Sequence, residues 1–388
     1  PSSNQPWPPT HFDPVGFSMR LWSAWWSGDP DALMRAYYSL GANSPVGRSY
    51  FATTGESGSR SSRAAQQRTG LIGSIRRWFW GNPTPPGEKR TNYHVPIAGD
   101  IAAMSANLLF SRPPSLSCDG DTAVQDYLEQ LIDDGVHATF LEAAETAAAL
   151  GGVYLRVVWD TDLADRPWID VLPADMAIPQ FAYNRLVAVT FWRVIEDSGS
   201  KVVRHLEKHV PSQNVILHGA YEGSQTDLGR PVPLTDFPET AGFAPMLTEG
   251  QAIYFPDQPK DASTVVYIPN MRPNRLWREL GPQAAPLGRS DYAGVESLMD
   301  GLDETYSSWM RDIRVGKARL IVPPSYLDDL GRGKGAVFEG EREVFSPLNM
   351  LVNDKADSSS MITANQFNIR WQEHQATAQN LIEQIISQ

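Results

Sequence analysis

The residue pairs that could do chemistry are few, and their spacing argues against it in each case. His205 and His209 stand four apart in HLEKH. On a helix that separation places two imidazoles on one face for a metal ion. The surrounding run, KVVRHLEKHV, is strand-like and has no third ligand nearby, so both histidines are expected as exposed strand residues. Asp133-Asp134 and Asp328-Asp329 are sequence neighbours, and adjacent side chains point apart on a helix or strand. They are expected in turns and solvent rather than as an acid–base pair. GRGKG (331–335) has glycines and a lysine but lacks the spacing and the Ser/Thr of a phosphate loop. GESGS (55–59) misses the last glycine of a nucleophile elbow. Nothing assembles an acid, a base and a nucleophile, so no enzyme activity, metal or cofactor is expected. The single cysteine, Cys118, excludes an internal disulfide and a Cys-based zinc site, and fits a reducing compartment.

The elements that would position a site fall into three blocks. In the first, Trp7, Trp22, Trp25 and Trp26 crowd together and Trp78, Phe79 and Trp80 follow, with a Gly/Ser/Arg-rich linker or arm at 41–70 between them. Such aromatics either form a contact surface or cover the domain's own core. In the second block, Ile97, Ile101, Met104 and Leu108 mark an amphipathic helix begun by Pro96 and ended by Pro113-Pro114. A further helical stretch from Thr122 to Leu150 has Asp121 as its N-cap, a break at Asp134-Gly135 and a stop at Gly151-Gly152. Then VYLRVVWD, WIDVL, RLVAVTFWRVI, KVVRHLEKHV, NVILHGAYEG and TVVYI read as a mostly antiparallel β region of roughly 120 residues. Helices followed by strands, rather than alternating βα units, give the class α+β.

The third block carries a heptad-like stripe. Tyr292, Val295, Met299, Leu302, Tyr306, Trp309 and Ile313 are spaced three and four apart behind Ser290, a good N-cap. This predicts a helix of about 25 residues, roughly 37 Å long. Glu296, Asp300, Asp303, Glu304 and Arg311 lie off the stripe, and Arg311, Arg314, Lys317 and Arg319 gather at its C-terminal end, which suits the helix dipole. KARLIVPPSYL predicts a short strand, AVFEG and REVFS short segments, and 353–360 a polar loop. A second helix is expected from near Met361. Phe367, Trp371, His374, Ala378, Leu381 and Ile385 form its apolar stripe, and Gln366, Gln372, Gln375, Gln379 and Gln384 lie on its other faces. Its pattern still runs at the last residue, as expected of a chain that continues.

Composition narrows the function. The 388 residues are 41% hydrophobic and 20% charged, enough to bury two or three domain cores. No apolar run reaches membrane-spanning length. The N-terminal residues lack the charged and apolar regions of a secretory signal, so none is expected. The net charge is −12. Residues 1–92 hold 10 Lys/Arg against 5 Asp/Glu, which leaves a net −17 on the remainder. A protein that grips DNA needs the opposite balance. An acidic surface either serves solubility or lets nucleic acid pass without holding it.

In order along the chain, several strings resemble the portal proteins of tailed bacteriophages, specifically the group common in phages of actinobacteria. HVPIAGDIAAMSANLLFSRPP is similar to that family's early wing helix. LGGVYLRVVWD with IDVLPADMAIPQF, and RHLEKHV with LHGAYEG and LGRPVPL, are similar to the wing segments that follow. The strongest likeness is GRSDYAGVESLMDGLDETYSSWMRDIRVGKARLIVP (288–323), which resembles the first stem helix with its mid-helix acid, here Asp300. The resemblance covers about residues 90–388 and implies a Trp-rich arm or outer wing at 1–92, a wing at 93–286, a first stem helix at 287–314, a clip at 315–360 and a second stem helix at 361–388. It implies a homo-oligomeric ring, usually a dodecamer, at the capsid vertex of the virion, assembled in the host cytoplasm. Double-stranded DNA would pass through its channel during packaging and ejection. The other partners implied are the major capsid protein, a terminase ATPase and a head–tail connector.

On this view the apolar stripes pack the stem. Glu296, Asp300, Asp303, Glu304, Gln372, Gln375 and Gln379 would border the channel or solvent, where a wall without rows of Lys and Arg lets phosphates slide. Arg311, Arg314, Lys317 and Arg319 would touch DNA or a partner, or pair with charges at the helix end. The competing readings are a capsid-associated adaptor without a channel and a carbohydrate-acting hydrolase, the latter motivated by twelve tryptophans and scattered carboxylates.

Overall fold

The computed structural model describes residues 5–38, 92–160, 163–248, 251–255, 263–315, 319–321, 328–329, 336–337, 363–365 and 369–387. The class is α+β. Helices α1 (Asp13–Ser27) and α2 (Pro30–Tyr38) come first, then α3 (Ile97–Leu109), α4 (Thr122–Asp133) and α5 (Val136–Leu150). Asp121 caps α4 by accepting from the Ala123 and Val124 amides at 3.0 and 3.2 Å. Gly135 and Gly151 bound α5, both in the left-handed region that a side chain disfavours. Gly151 is doubly constrained, because a Cβ there would meet the Gly288 carbonyl at 2.8 Å.

Two antiparallel sheets follow. Strands β1 (Gly152–Val158), β2 (Trp168–Pro173) and β9 (Val265–Pro269) form one, in the order β2-β1-β9. The other runs β3 (Ala177–Ala182), β4 (Arg185–Asp197), β5 (Val202–Val210), β6 (Val215–Gly223) and β7 (Arg230–Val232), with β8 (Ala252–Tyr254) also on β6. Helix α5 covers one face of β1 and β2 through Ala143, Ala147 and Val153. The opposite face meets the larger sheet, where Tyr154 packs edge-on to Phe191 at 5.3 Å.

The chain then enters α6 (Glu296–Val315), short strand β10 (Arg319–Ile321), the pair β11 (Asp328–Asp329) and β12 (Ala336–Val337), strand β13 (Thr363–Asn365) and α7 (Trp371–Ile386). β10 pairs antiparallel with β13. Among the described residues, no helix is long and apolar enough to cross a membrane.

Four expectations need correction. On α3 the buried face is Ile97, Ala98, Ala102 and Ala106, whereas Met104 and Leu108 are 61% and 71% exposed. The alanines win because α3 lies close against α1 and α5, and only small side chains fit that approach. Helix α6 starts at Glu296, not at Ser290, because Gly294 sits at φ +103° and breaks the helical run. It is therefore 20 residues long, about 30 Å. Ser290 instead donates to the Ala148 carbonyl of α5. Helix α7 starts at Trp371 rather than near Met361, because Thr363–Asn365 is taken up in the ladder with β10. Asp328-Asp329, expected in a turn, form a strand whose backbone pairs with Ala336 and Val337.

Candidate functional site

Helices α6 and α7 pack as an antiparallel pair. The C-terminal end of α6 meets the start of α7 where Asp312 accepts from Arg370 and bonds His374, both at 3.0 Å. Farther along, the Leu381 methyls lie 3.8 and 3.9 Å from where a Cβ on Gly301 would stand. The His374 ring stacks on Trp309 at 6.1 Å and 11°. The His374 bond, with Arg370 beside it, holds the Asp312 carboxyl below its ordinary range. The β10–β13 ladder sits at this same end, so the 322–362 excursion leaves and returns at one point.

The stripe that leads into α6 and continues along it divides in two. Tyr292, Val295, Met299 and Leu302 are fully buried in the subunit's own core. Tyr306 and Trp309 are half-buried, and Ile313 is exposed. On α7, Ala378 and Ile385 are buried and Leu381 half-buried, but Trp371, expected to pack, is 52% exposed. It lies at the start of α7 beside Arg370, and about half of its surface is left uncovered. Phe367, Gln366 and Lys317 lie outside the described residues, as do the linker at 41–70, Trp78, Phe79 and Trp80, the GESGS and GRGKG strings and the loop at 353–360. Gln372, Gln375 and Gln379 are exposed.

The acids of α6 are not where sequence reasoning put them. Glu296, Asp300 and Asp303 recur at one helical face and receive the N-terminal part of the chain. The Trp22 indole donates to Glu296 at 3.0 Å, and the Tyr37 hydroxyl donates to Asp300 at 2.9 Å. Asp303 accepts from the Val95 amide and bonds His94 Nδ1, each at 2.8 Å. Asp300 and Asp303 are buried, so neither faces a channel or solvent. Burial raises the Asp303 carboxyl, opposed by its bond to His94. The two buried acids and the half-buried Glu296 are tolerated here because each meets a donor aimed at it.

The N-terminal aromatics complete this clamp. Trp22 and Trp25 are fully buried, Trp7 is nearly so, and Trp22 packs against Trp277 at 5.4 Å. Of the two readings of these tryptophans, they cover the domain's own core. Glu304 is half-buried and raised by that burial, and Arg311 is exposed. Arg314 donates to the Tyr93 hydroxyl at 2.9 Å and lies over the Tyr93 ring. For Arg319 only the backbone pairing with Asn365 is described.

The histidines expected on the surface are also buried. His205 bonds His218 at 3.2 Å, the two rings are stacked, and Phe243 stacks over both. His209 bonds Glu207 at 2.6 Å and Thr264 at 2.8 Å, and Arg156 clamps Glu207 and Asp170 together. Burial disfavours the Glu207 carboxylate, but the His209 bond and Arg156 overcome it and hold the group well below the carboxylate range. Thr–His–Glu in hydrogen-bond contact has the connectivity of a nucleophilic triad. With His209 only 1% exposed, no substrate reaches the base, and the network joins the two sheets instead. Alternation on β5 already places residues 205, 207 and 209 on one face. What the sequence did not signal is that the other sheet and the 233–248 segment cover that face.

Among the described residues, no group of three or more His, Cys, Asp or Glu is arranged to hold a metal ion. Compared with known proteins, the sequence matches no family model and no curated protein.

Proposed function

We propose that the chain is a subunit of a bacteriophage portal, a closed homo-oligomeric ring at the capsid vertex through which double-stranded DNA is packaged and ejected. The observation that carries this reading is the helical hairpin. α6 leaves an α+β body, an excursion of about 40 residues is closed at its base by β10–β13, and α7 returns along α6. Body, paired helices and small β-containing insert follow the order of wing, stem and clip. The surface of the hairpin supports it too. Ile313 and Trp371 are apolar and uncovered in the single subunit, while Gln372, Gln375 and Gln379 present a polar, uncharged face. In a ring, head-to-tail contacts that close on themselves would cover the first. A wall of the second kind would border DNA without trapping its phosphates.

With Asp300 and Asp303 inside the subunit, the lining falls to the glutamines and to acids elsewhere. The ATPase, the connector and the capsid protein would dock on the ring, twelve copies being the count that the resemblance implies. Mass measurement and negative-stain images of the purified protein test this. Rings with an axial hole are expected, and a monodisperse monomer at every concentration, or compact particles without a hole, would discard it. Leu302 is a poor probe because it lies in the subunit core. Ile313→Asp with Trp371→Glu should leave the subunit folded and abolish ring formation.

A further inference from the structure

The outer edge of β9 opens into a groove of about 670 Å³ between β9 and the tips of the β3–β4 and β5–β6 hairpins. Val265, Val266 and Tyr267 all line it. Consecutive strand residues alternate faces, so three in a row line one groove only through the strand's backbone edge. β9 pairs antiparallel with β1, and the Val157 amide reaches the Thr264 carbonyl while the Asn270 amide reaches the Gly151 carbonyl. By the alternation of such a ladder, Val266 and Ile268 also turn inward, and Val265, Tyr267 and Pro269 turn outward. The Ser263 hydroxyl takes up both backbone groups of Val265, and Pro269 has no amide hydrogen. Among the described residues, the outward amide and carbonyl of Tyr267, with the Pro269 carbonyl, are what the edge still offers.

The neighbouring edge is treated differently. At Phe181 the Gln283 side chain accepts from the backbone amide at 2.7 Å and donates to the carbonyl at 3.2 Å, closing β3. Arg185, at the start of β4, and Arg272, three residues beyond the end of β9, also line the groove. Both are exposed, and neither makes an ion pair or a side-chain hydrogen bond among the described residues. No acid lines the groove among the described residues. In a chain of net charge −12, two unpaired guanidiniums beside an open strand edge form a local basic spot.

We infer that this groove binds an extended acidic peptide segment of a partner protein, which adds to the edge of β9 at Tyr267 and places carboxylates on Arg185 and Arg272. Backbone pairing at Tyr267 fixes the segment's register, and the guanidiniums select its charge. An extended segment of about five residues spans the length of β9 at ~3.3 Å per residue.

The test is fluorescence anisotropy with the intact chain and a labelled eight-residue peptide alternating glutamate and threonine. Binding should weaken on the order of tenfold or more when Arg185→Glu and Arg272→Glu are combined, and also when the central peptide nitrogens are methylated. A lysine–threonine peptide should not bind. Absence of binding, or binding indifferent to the arginine changes or to N-methylation, would overturn the inference. So would two other outcomes: a short DNA duplex that binds with the same arginine dependence, or sedimentation showing that the double variant changes self-association. Circular dichroism of the variant confirms that these two exposed substitutions leave the fold intact.

Discussion

Acid should weaken this fold in a defined window, and the stacked histidines set it. His205 is buried under Phe243 and beside His218. Burial first, and the neighbouring His218 second, lower it from 6.5 to about 4. A histidine whose proton affinity is depressed by folding contributes its full stability above the unfolded value. That contribution is lost as pH falls from about 6.5 to about 4, because the unfolded chain takes up the proton first. At 1.36 kcal/mol per tenfold change in affinity, the loss approaches about 3 kcal/mol by pH 4. His218 is lowered by burial too, so it acts in the same direction. Glu207 is held well below the carboxylate range, so its own contribution begins to fall only near the ordinary carboxylate value, where the unfolded chain takes up the proton, and it adds to the loss at the acid end of the window.

The assay is the thermal midpoint from pH 7.5 to 4 by tryptophan fluorescence, on the wild type and on His205→Phe. Phenylalanine keeps the ring stack with Phe243 and removes one titrating group. The wild type should lose stability through the window, and the variant distinctly less. Equal slopes for the two proteins would refute the reasoning, as would a wild type that stays flat to pH 4.

Two further outcomes follow from the packing. Asp303→Ala removes the acceptor of the Val95 amide and the partner of His94 in a buried site, and should cost about 3–5 kcal/mol by urea unfolding. A loss below about 0.5 kcal/mol would mean that the clamp does not hold α6, since that is the range of an ordinary surface substitution. Gly151→Ala places a methyl against the Gly288 carbonyl at a left-handed position, and should cost about 1–3 kcal/mol or more in the same measurement. An unchanged midpoint would show that the α5–β1 corner relaxes freely.

Much of the fold was legible because local signals were strong. Asp121 and Gly151 mark helix ends through hydrogen bonds and backbone conformations that depend on a few neighbouring residues. β-branched and aromatic runs mark the strands, and every named pairing is antiparallel, as the order of helices before strands suggested. Val295, Met299 and Leu302 are buried together within the subunit's own core, because apolar residues three and four apart can leave water together.

The failures share one cause. Periodicity says which residues lie on one side of an element, not what covers the other sides. Asp300 and Asp303 looked solvent-facing because they are charged, yet α2 and the segment before α3 bring Tyr37, His94 and the Val95 amide to them from more than 200 residues away. His205 and His209 looked exposed on an alternating strand until the second sheet and Phe243 closed over them. Met104 and Leu108 looked like a core stripe, but close helix approach favoured the alanines. The chain alone determined most of its elements, the ends of α4 and α5 and its acidic balance, since these depend on neighbours along the backbone. Which polar groups are buried, and which apolar ones remain uncovered on α6 and α7, was decided by tertiary contacts. A buried charge is tolerated only where a distant donor happens to be delivered to it.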